Sequence, residues 1–446
     1  MSEKSYHVII IGGGASGMAA AIAALQENKK QNNSKIREKL LVLESNDRVG
    51  KKILATGNGK CNFTHENIST VHYHTDDQAV LESVLNGFPT EAALHFFEEL
   101  GMLSREKNGY FYPFTETAST VLDVLRLRLA ELGCETLCNI WIERIEKSGN
   151  GFFISFKEQE KQYKVYADRV ILATGSKAGG FLQNKKEDPL RLAESLGLRS
   201  TPLYPALAKC ICREDYYYKQ LAGVRAQVRL SLYAERDVPN KTGWELLKQE
   251  TGELQLTKEG ISGIAVFQLS GKIAQKLADK KRVIVEINFL PDFPENELEE
   301  WIKKRLSLLP GRSLEEFFLG VIHKKILGVC LQAEGLRGNM MIPCVNDSRN
   351  NLSAEKRAII MIASVMKRAM HFTTEVTSVS DMKQAQVCRG GLILSQFDEN
   401  LECKKIPGLF ACGEVLNVDG ECGGYNLHFA WASGVTAGRE AIRKVL

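Results

Sequence analysis

Close to its start the chain reads Tyr6-His7-Val8-Ile9-Ile10-Ile11-Gly12-Gly13-Gly14-Ala15-Ser16-Gly17. The β-branched and aromatic residues before the glycines predict a buried parallel strand. Small and aliphatic residues from Met18 to Gln26 then predict a helix that packs closely on a sheet. A second apolar strand, Lys39 to Leu43, ends on the acid Glu44. This order of strand, glycine turn, helix, strand and acid is typical of a dinucleotide-binding α/β fold.

In such a fold, three glycines of the turn each have a different role. Gly12 permits the tight turn, Gly14 lets the backbone approach a pyrophosphate, and Gly17 lets the helix pack on the strand. The helix N-terminus then offers N–H groups and a partial positive charge to the phosphates. Glu44 can accept hydrogen bonds from both ribose hydroxyls and repels a 2′-phosphate, which favours FAD or NAD over NADP. The predicted nucleotide site contains Gly12, Gly14, Ala15, Ser16, Gly17, Glu44 and Ser45.

Two other interpretations of this segment are open. It could be a glycine-rich turn in some other α/β protein, or a signal peptide or membrane span, since Val8 to Leu25 is nearly uncharged. Four glycines and a serine interrupt the apolar run, one lysine precedes it, and no later apolar run reaches spanning length. We therefore expect no membrane segment.

The composition is ordinary for a globular protein, with 44% hydrophobic and 25% charged residues in a chain of 446. That length suggests two or three domains. The formal net charge of +4 is nearly balanced and gives no argument for nucleic acid or an anionic membrane. Eleven cysteines are scattered without a CxxC pair, so we expect reduced thiols in the cytoplasm and no metal site.

A polar loop after Glu44 contains the run Gly50-Lys51-Lys52-Ile53-Leu54-Ala55-Thr56-Gly57-Asn58-Gly59-Lys60-Cys61-Asn62. Its three glycines, two asparagines and three lysines cannot form a core. They suit a backbone that folds around an anionic ligand, and the alternative is an ordinary solvated loop.

Later glycine turns repeat the opening pattern. The segment Arg169–Leu172 predicts a buried strand that breaks at Ala173-Thr174-Gly175, as expected where a chain returns beneath a dinucleotide. Near the C-terminus a strand closes on Gly413-Glu414. The turn Gly423-Gly424-Tyr425-Asn426 then leads into a helix rich in small residues, Leu427 to Lys444.

The middle third of the chain has a different pattern. Short alternating segments between Ser200 and Phe293 predict a small antiparallel sheet or barrel, and Glu295 to Arg368 is mostly helical. It contains no second GxGxxG after a strand, so a separate nicotinamide-binding fold is not expected. An earlier segment, Tyr110 to Phe114, predicts a short aromatic turn. We predict a nucleotide-binding domain in two parts, residues 1–198 and 373–446, interrupted by a β-rich and helical domain at 199–372.

A strand that ends on Gly-Glu before a helix N-terminus is what a flavin needs beyond an ordinary nucleotide site. Glu414 can hold a ribityl hydroxyl. The N-terminus of the last helix can face the N1 and C2 carbonyl region, where it would stabilise the negative charge of the reduced ring. The amides of Asn426 and Leu427 are the candidate donors.

Together these motifs resemble the BaiN-type flavoprotein family, which also includes aminoacetone-oxidase-like members, and the resemblance runs nearly end to end. It implies an α/β, Rossmann-like two-dinucleotide-binding FAD fold interrupted by an inserted β-barrel-like plus helical domain. The flavin would lie at their junction, with the substrate facing the insert and the backbone at Ile142 near the adenine. The implied cofactor site adds Gly50, Lys51, Lys52, Thr56, Gly57, Asn58, Gly59, Lys60, Cys61, Asn62, Ile142, Ala173, Thr174, Gly175, Gly413, Glu414, Gly424, Asn426 and Leu427.

The resemblance implies a FAD-dependent oxidoreductase that transfers hydride between flavin N5 and a small organic substrate. We expect a reductase of activated C=C bonds that is recharged by NADH or NADPH as a transient electron donor. One alternative is an amine oxidase of the aminoacetone-oxidase type that uses oxygen. The other is a flavin-binding regulatory or RNA-associated protein. A nucleic-acid partner is not expected, because the sequence lacks a basic stripe with interleaved aromatic residues.

The catalytic candidates are Tyr425, Cys61 and Tyr112. Tyr425 and Cys61 belong to motifs expected near the flavin, and Tyr112 is placed at the domain junction. Cys61 could instead be a packed small hydrophobe, the more frequent role of a free cysteine, and His428 could simply pack in the last helix. Because flavin N5 carries the hydride step, the protein needs one acid such as a tyrosine, or none.

Overall fold

The structure is a computed structural model that describes residues 4–30, 40–181, 188–213, 215–236, 243–343 and 351–443. It divides into two compact units, residues 1–205 with 381–446, and residues 206–380. The predicted elements also reach Lys39 and Lys444, which lie outside the described residues.

The strands follow one another along the chain as β1 Ser5–Ile11, β2 Leu40–Leu43, β3 Thr64–His65, β4 Tyr73–Thr75, β5 Ser104–Lys107, β6 Tyr110–Pro113, β7 Glu135–Leu137, β8 Ile140–Ser148, β9 Gly151–Glu158, β10 Lys161–Leu172, β11 Tyr204–Ala206, β12 Cys210–Cys212, β13 Arg225–Glu235, β14 Trp244–Leu256, β15 Gly260–Ser262, β16 Val283–Asn288, β17 Phe372–Val379, β18 Val387–Arg389, β19 Leu409–Ala411 and β20 Val418–Gly420.

The α-helices are α1 Ala15–Lys30, α2 Gln78–Asn86, α3 Thr90–Glu99, α4 Ala118–Glu131, α5 Arg191–Ser195, α6 Asp215–Leu221, α7 Ile264–Ala278, α8 Leu298–Leu308, α9 Leu314–Phe317, α10 Lys324–Ala333, α11 Asn351–Met370 and α12 Tyr425–Arg443. None of those within the described ranges combines the length and the apolarity that crossing a lipid bilayer demands.

The first unit is built on a mixed sheet with the strand order β7-β2-β1-β10-β9-β8, and β19 also pairs with β10. Strands β7, β2, β1, β10 and β19 run parallel to their neighbours, whereas β8, β9 and the first part of β10 form an antiparallel meander. Buried parallel strands are apolar throughout, which is why β1 and β2 show no alternation. Because parallel strands end at one edge, the turns after β1, β2, β10 and β19 meet there.

Two elements of this unit differ from the prediction made from the sequence. The predicted strand Arg169–Leu172 is the end of a twelve-residue strand, β10, whose first part pairs with β9. The predicted aromatic turn at Tyr110–Phe114 is mostly a strand, β6, which lies between β3 and β5 in a small antiparallel sheet. Strand pairing decides both cases, since β10 pairs with the preceding strand β9, and β6 pairs with the preceding strand β5 and with the more distant β3.

Helices α1 and α12 pack against each other with very close backbone approach. A Cβ on Gly434 would overlap the carbonyl oxygen of Ser16, and one on Gly438 would overlap that of Ala20. The small residues of the last helix therefore let its backbone lie directly on the helix that follows the glycine turn. This contact joins the beginning and the end of the chain in one unit.

The second unit contains a closed antiparallel barrel with the strand order β12-β15-β14-β13-β16-β17. Alternate residues of β13 and β16 point into its core, and Val228, Leu230, Val283, Val285 and Ile287 are completely buried. This alternation confirms the predicted barrel and is typical of strands with one buried face. Helices α8, α10 and α11 supply further buried residues, including Ile302, Val329 and Val365.

Candidate functional site

A cavity opens in the first unit where the parallel strands end. The turn after β1 contributes Gly12 and Gly14, and the turn after β10 contributes Thr174. Ligands of open α/β sheets bind in the crevice outside the carboxyl ends of the strands. The predicted site residues that line this cavity are Gly12, Gly14, Glu44, Ser45, Gly50, Lys51, Lys52, Ile142, Ala173, Thr174, Gly175 and Glu414.

The three functional glycines of the first turn differ in their surroundings. Gly12 has φ of 110°, and a Cβ there would overlap the carbonyl oxygen of Ala173. A Cβ on Gly17 would overlap the carbonyl oxygen of Gly12, so these two glycines are required by the fold itself. A Cβ on Gly14 would have no atom within 4 Å, yet Gly14 lines the cavity. Protein packing therefore does not require a glycine at this position, and the absence of a side chain leaves space for a ligand.

Glu44 is held rigidly at the end of β2. Its carboxylate accepts hydrogen bonds from Gly13 N at 2.7 Å, from Asn46 N at 2.8 Å and from Asn46 Nδ2 at 2.7 Å, and the residue is 6% exposed. A buried carboxylate fixed by backbone amides is a preorganised acceptor for hydroxyl groups. The side-chain oxygen of Asn46 is buried and has no protein partner among the described residues. Asn46 also lines the cavity, so a bound polar ligand could satisfy that atom.

The lysine loop begins as a 3-10 segment, Lys51–Gly59, that turns back on itself. Asn58 and Cys61 have positive φ, and Cys61 N donates to the Thr56 carbonyl at 3.1 Å. Lys51 pairs with Asp47, and Lys52 Nζ lies 2.5 Å from Glu414 Oε2. The remaining loop residues predicted for the cofactor, Thr56, Gly57, Asn58, Gly59, Lys60, Cys61 and Asn62, do not line the cavity.

Glu414 reaches the cavity from the other end of the chain. Its second carboxylate oxygen accepts a hydrogen bond from Cys388 N at 3.0 Å. The preceding residue, Gly413, has φ of 73°, and a Cβ there would overlap the hydroxyl of Ser16 at the start of α1. The two glycine turns at the ends of the chain are therefore in direct contact.

The last predicted turn packs against the lysine loop. A Cβ on Gly424 would lie 2.8 Å from Asn62 Oδ1, a buried oxygen with no protein partner in the described part of the chain. The Asn426 side chain binds its own turn, donating to Gly420 O at 2.7 Å and accepting from Gly420 N at 2.8 Å. Gly424, Asn426 and Leu427 do not line the cavity.

The three catalytic candidates lie outside the cavity lining. Cys61 is completely buried, and burial raises the pKa of its thiol to about 12, which keeps the thiol protonated. The Tyr425 ring is stacked between His65 and His72 at centroid distances of 5.0 and 4.7 Å, and burial raises the pKa of its phenol to about 12. Tyr112 is partly exposed on β6, and burial raises the pKa of its phenol as well.

His428 is completely buried in α12. Thr64 Oγ1 lies 2.7 Å from its Nδ1, and its Nε2 lies 2.9 Å from the Phe88 carbonyl. A neutral ring that donates to the carbonyl and accepts from the hydroxyl satisfies both contacts, and burial lowers the pKa of His428 to about 4. These bonds fit the packing role that the sequence left open for it.

Several cavity residues were missed by the sequence analysis, among them Asn46 and Arg191. Arg191 donates to the carbonyl oxygens of Ile142 at 2.5 Å and Glu143 at 2.9 Å, which fixes the strand beside the cavity. The available sequence signal was the turn-forming pair Asp188-Pro189 before α5. In the structure, Asp188 Oδ1 accepts a hydrogen bond from Leu190 N at 3.1 Å. In the described residues no group of three or more His, Cys, Asp or Glu could hold a metal ion.

Comparison with known proteins adds independent findings. The family described as HI0933-like protein Rossmann domain matches residues 6–440. The 3-dehydro-bile acid delta(4,6)-reductase of Clostridium scindens is 33% identical over 407 residues, covering 91% of this chain and 93% of the relative. The ribosomal RNA dihydrouridine synthase of Haemophilus influenzae is 24% identical over 406 residues, covering 90% and 92%. Its Escherichia coli namesake is 23% identical over 409 residues, covering 91% and 92%.

Proposed function

The chain belongs to the HI0933-like Rossmann-domain family, and from this premise we propose that it is a FAD-dependent reductase of carbon–carbon double bonds conjugated to a carbonyl group. The relatives' names support this chemistry. A 3-dehydro-bile acid delta(4,6)-reductase removes double bonds conjugated to a ketone. A dihydrouridine synthase saturates the uracil double bond that is conjugated to a ring carbonyl. The substrates differ greatly in size, whereas the reacting group is the same.

The residues of the cavity fit FAD. Glu44, fixed by Gly13 and Asn46, would accept from the adenosine ribose, and the open space at Gly14 would admit the pyrophosphate. Glu414, which also lines the cavity, would hold a ribityl hydroxyl. The orphaned Asn46 oxygen supplies one further acceptor for a polar ligand.

When bound, FAD supplies hydride transfer at N5, and the protein supplies binding and orientation. The first bond of α12 runs from His428 N to Gly424 O at 2.8 Å, so the amides of Asn426 and Leu427 precede the helical ladder. Such amides, with the helix dipole, favour negative charge placed before them. NADH or NADPH is proposed as the source of electrons.

One observation carries the proposal: Glu44 and Glu414, from opposite ends of the chain, line one cavity together with Gly14. A nucleotide half and a flavin half of one cofactor need these two acceptors.

The test is an anaerobic half-reaction assay. The purified yellow protein is titrated with NADH and with NADPH, and then with cyclohex-2-enone or, as a matched control, cyclohexanone. Bleaching by a nicotinamide followed by recovery of colour with the enone alone is the expected result. Failure of the enone to restore colour, together with peroxide formation from aminoacetone in air, would replace the proposal with the amine oxidase.

A second candidate is the same reduction on a uracil base in RNA. It is favoured by the two relatives named ribosomal RNA dihydrouridine synthase, each of which this chain matches over at least 90% of its own length. A uridine-containing RNA incubated with the reduced protein would gain two hydrogens, which mass spectrometry detects. An unchanged RNA mass would remove this candidate.

A further inference from the structure

The small sheet β3-β6-β5 presents one face that combines cations with aromatic rings. The strand register sets Arg105 opposite Tyr112 and Lys107 opposite Tyr110, and it sets His65 opposite Tyr110 on the other side. Residues directly opposite one another project from the same face, and alternate residues of a strand share that face. These five side chains therefore lie together, although the sequence separates His65 from the other four by some 40 positions.

A cluster of cations lies on this face. The side chains of Lys60, Arg105 and Lys107 are 56%, 40% and 46% exposed, and all three pair with the single carboxylate of Glu116. These three cations and the carboxylate of Glu116 sum to a charge of +2, while the carboxylates of Glu66 and Glu421 lie beside the His65 and Tyr110 rings. The positive charge is therefore that of the Lys60, Arg105 and Lys107 cluster. The neighbouring acid Glu421 is already bonded to His72, with Oε2 3.0 Å from Nδ1. Clusters of exposed cations attract the phosphate groups of nucleic acids.

Aromatic rings lie among these charges. Phe114 is 53% exposed, and the Arg105 guanidinium carbon lies 4.3 Å from its ring centroid. Tyr110 and His65 are in contact edge to face, with centroids 5.0 Å apart, and Tyr110 and Tyr112 are partly exposed. Proteins bind unpaired bases by stacking them on such rings while cations follow the backbone phosphates.

We propose that this face, the basic-aromatic face of Lys60, Arg105, Lys107, Tyr110, Tyr112 and Phe114, docks single-stranded RNA. The proposal rests on the second candidate function, since it supplies the contact that an RNA substrate needs. Lys60 belongs to the same loop as Lys51 and Lys52, which line the cofactor cavity. RNA bound to this face would therefore lie beside the loop that also contributes Lys51 and Lys52 to the cofactor cavity.

The test measures binding of a fluorescein-labelled, uridine-rich RNA oligonucleotide to the full-length FAD-loaded protein by fluorescence anisotropy. The variant Arg105→Ala/Lys107→Ala removes two phosphate contacts. It is expected to weaken binding at low salt and to reduce the slope of log K against log salt by about 1.4. The variant Phe114→Ala is expected to weaken binding roughly tenfold without changing that slope, because it removes a stacking surface rather than a charge.

The matched control is Lys161→Ala/Lys164→Ala on β10, which removes two cations from another surface of the same unit and is expected to bind RNA as the parent does. Equal binding by all variants overturns the proposal. A polyglutamate peptide that binds in place of RNA, and is lost in the double variant, also overturns it by assigning the face to acidic proteins. Enone reduction by the same proteins distinguishes failure of the RNA-docking proposal from failure of the proposed reductase function. Absence of RNA binding with enone reduction intact contradicts only the RNA-docking proposal. RNA binding without enone reduction contradicts only the proposed reductase function.

Discussion

Lys52 Nζ lies 2.5 Å from Glu414 Oε2 and joins two residues 362 positions apart. One belongs to the glycine- and lysine-rich loop near the start of the chain, and the other follows the strand β19 near its end. Both line the same cavity, which Gly14 and Glu44 also line. The ion pair therefore marks where the two halves of the proposed FAD site meet.

Replacing Glu414 tests the flavin half of the site. The change Glu414→Gln removes the charge that Lys52 and Cys388 N hold in place, and it weakens the acceptor for a ribityl hydroxyl. We expect the Kd for FAD, measured by quenching of flavin fluorescence, to rise about tenfold, as for loss of a charged hydrogen bond. Glu440→Gln, an acid on α12 that pairs with Arg443, is the control and should bind FAD as the parent does.

Replacing Glu44 tests the nucleotide half. Glu44→Ala leaves the amides of Gly13 and Asn46 without their acceptor and removes both ribose contacts, so a Kd for FAD at least ~100-fold higher is expected. Isothermal titration of the apoprotein with FAD and with FMN checks the assignment. FAD alone should lose affinity, because FMN has no adenosine ribose. Glu135→Ala, at the neighbouring strand β7, should leave both affinities unchanged.

The α1–α12 contact predicts opposite effects for the same substitution at two helical glycines. Gly434→Ala would place a Cβ on the Ser16 carbonyl and should lower the free energy of unfolding by about 1–3 kcal/mol. Gly328→Ala in α10 meets nothing within 4 Å and should raise it by about 0.5–1 kcal/mol. Urea denaturation followed by circular dichroism measures both. A Gly434→Ala protein as stable as the parent would contradict the close helix approach.

His428 predicts a pH dependence of stability. Its pKa is lowered from the ordinary 6.5 to about 4 by burial, so the unfolded chain takes up a proton that the folded chain does not. Above pH 6.5 the His428 ring is neutral in both the folded and the unfolded chain, so it does not change the free energy of unfolding. As the pH falls from 6.5 toward 4, the free energy of unfolding decreases by roughly 3 kcal/mol in total. His428→Gln should flatten the pH profile of urea midpoints in that window. Control His95→Gln, an exposed site, should retain the parental slope.

Much of the nucleotide half could be predicted because its signals are local. The spacing of Gly12, Gly14 and Gly17 indicates the turn, and Glu44 is indicated by its position at the end of the second strand; the structure places the two in contact through Gly13 N and Glu44 Oε2. The family and the Rossmann-type α/β fold with a barrel are confirmed. For the proposed flavin half, the local signal is that Gly413-Glu414 repeats the same strand-to-turn pattern, and the structure places Glu414 in the cavity lining.

Other features depend on pairing that the sequence does not display. Tyr110–Phe114 looked like a turn because its partners β3 and β5 could not be identified beforehand. The basic-aromatic face follows from the register that sets Arg105 beside Tyr112, so its residues do not form a linear basic stripe in the sequence. Asn46 was overlooked because an asparagine in a polar loop carries no signal until its oxygen is found buried without a partner.

The central claim is that the cavity beside Gly14 holds FAD, and the ratio of FAD to protein in purified Gly14→Val tests it most directly. A Cβ at this glycine meets no protein atom within 4 Å, so the variant should fold with the parental circular dichroism spectrum and melting temperature. Its side chain would occupy the space proposed for the pyrophosphate. We predict a folded, colourless protein, whereas a preparation as yellow as the parent would contradict the account.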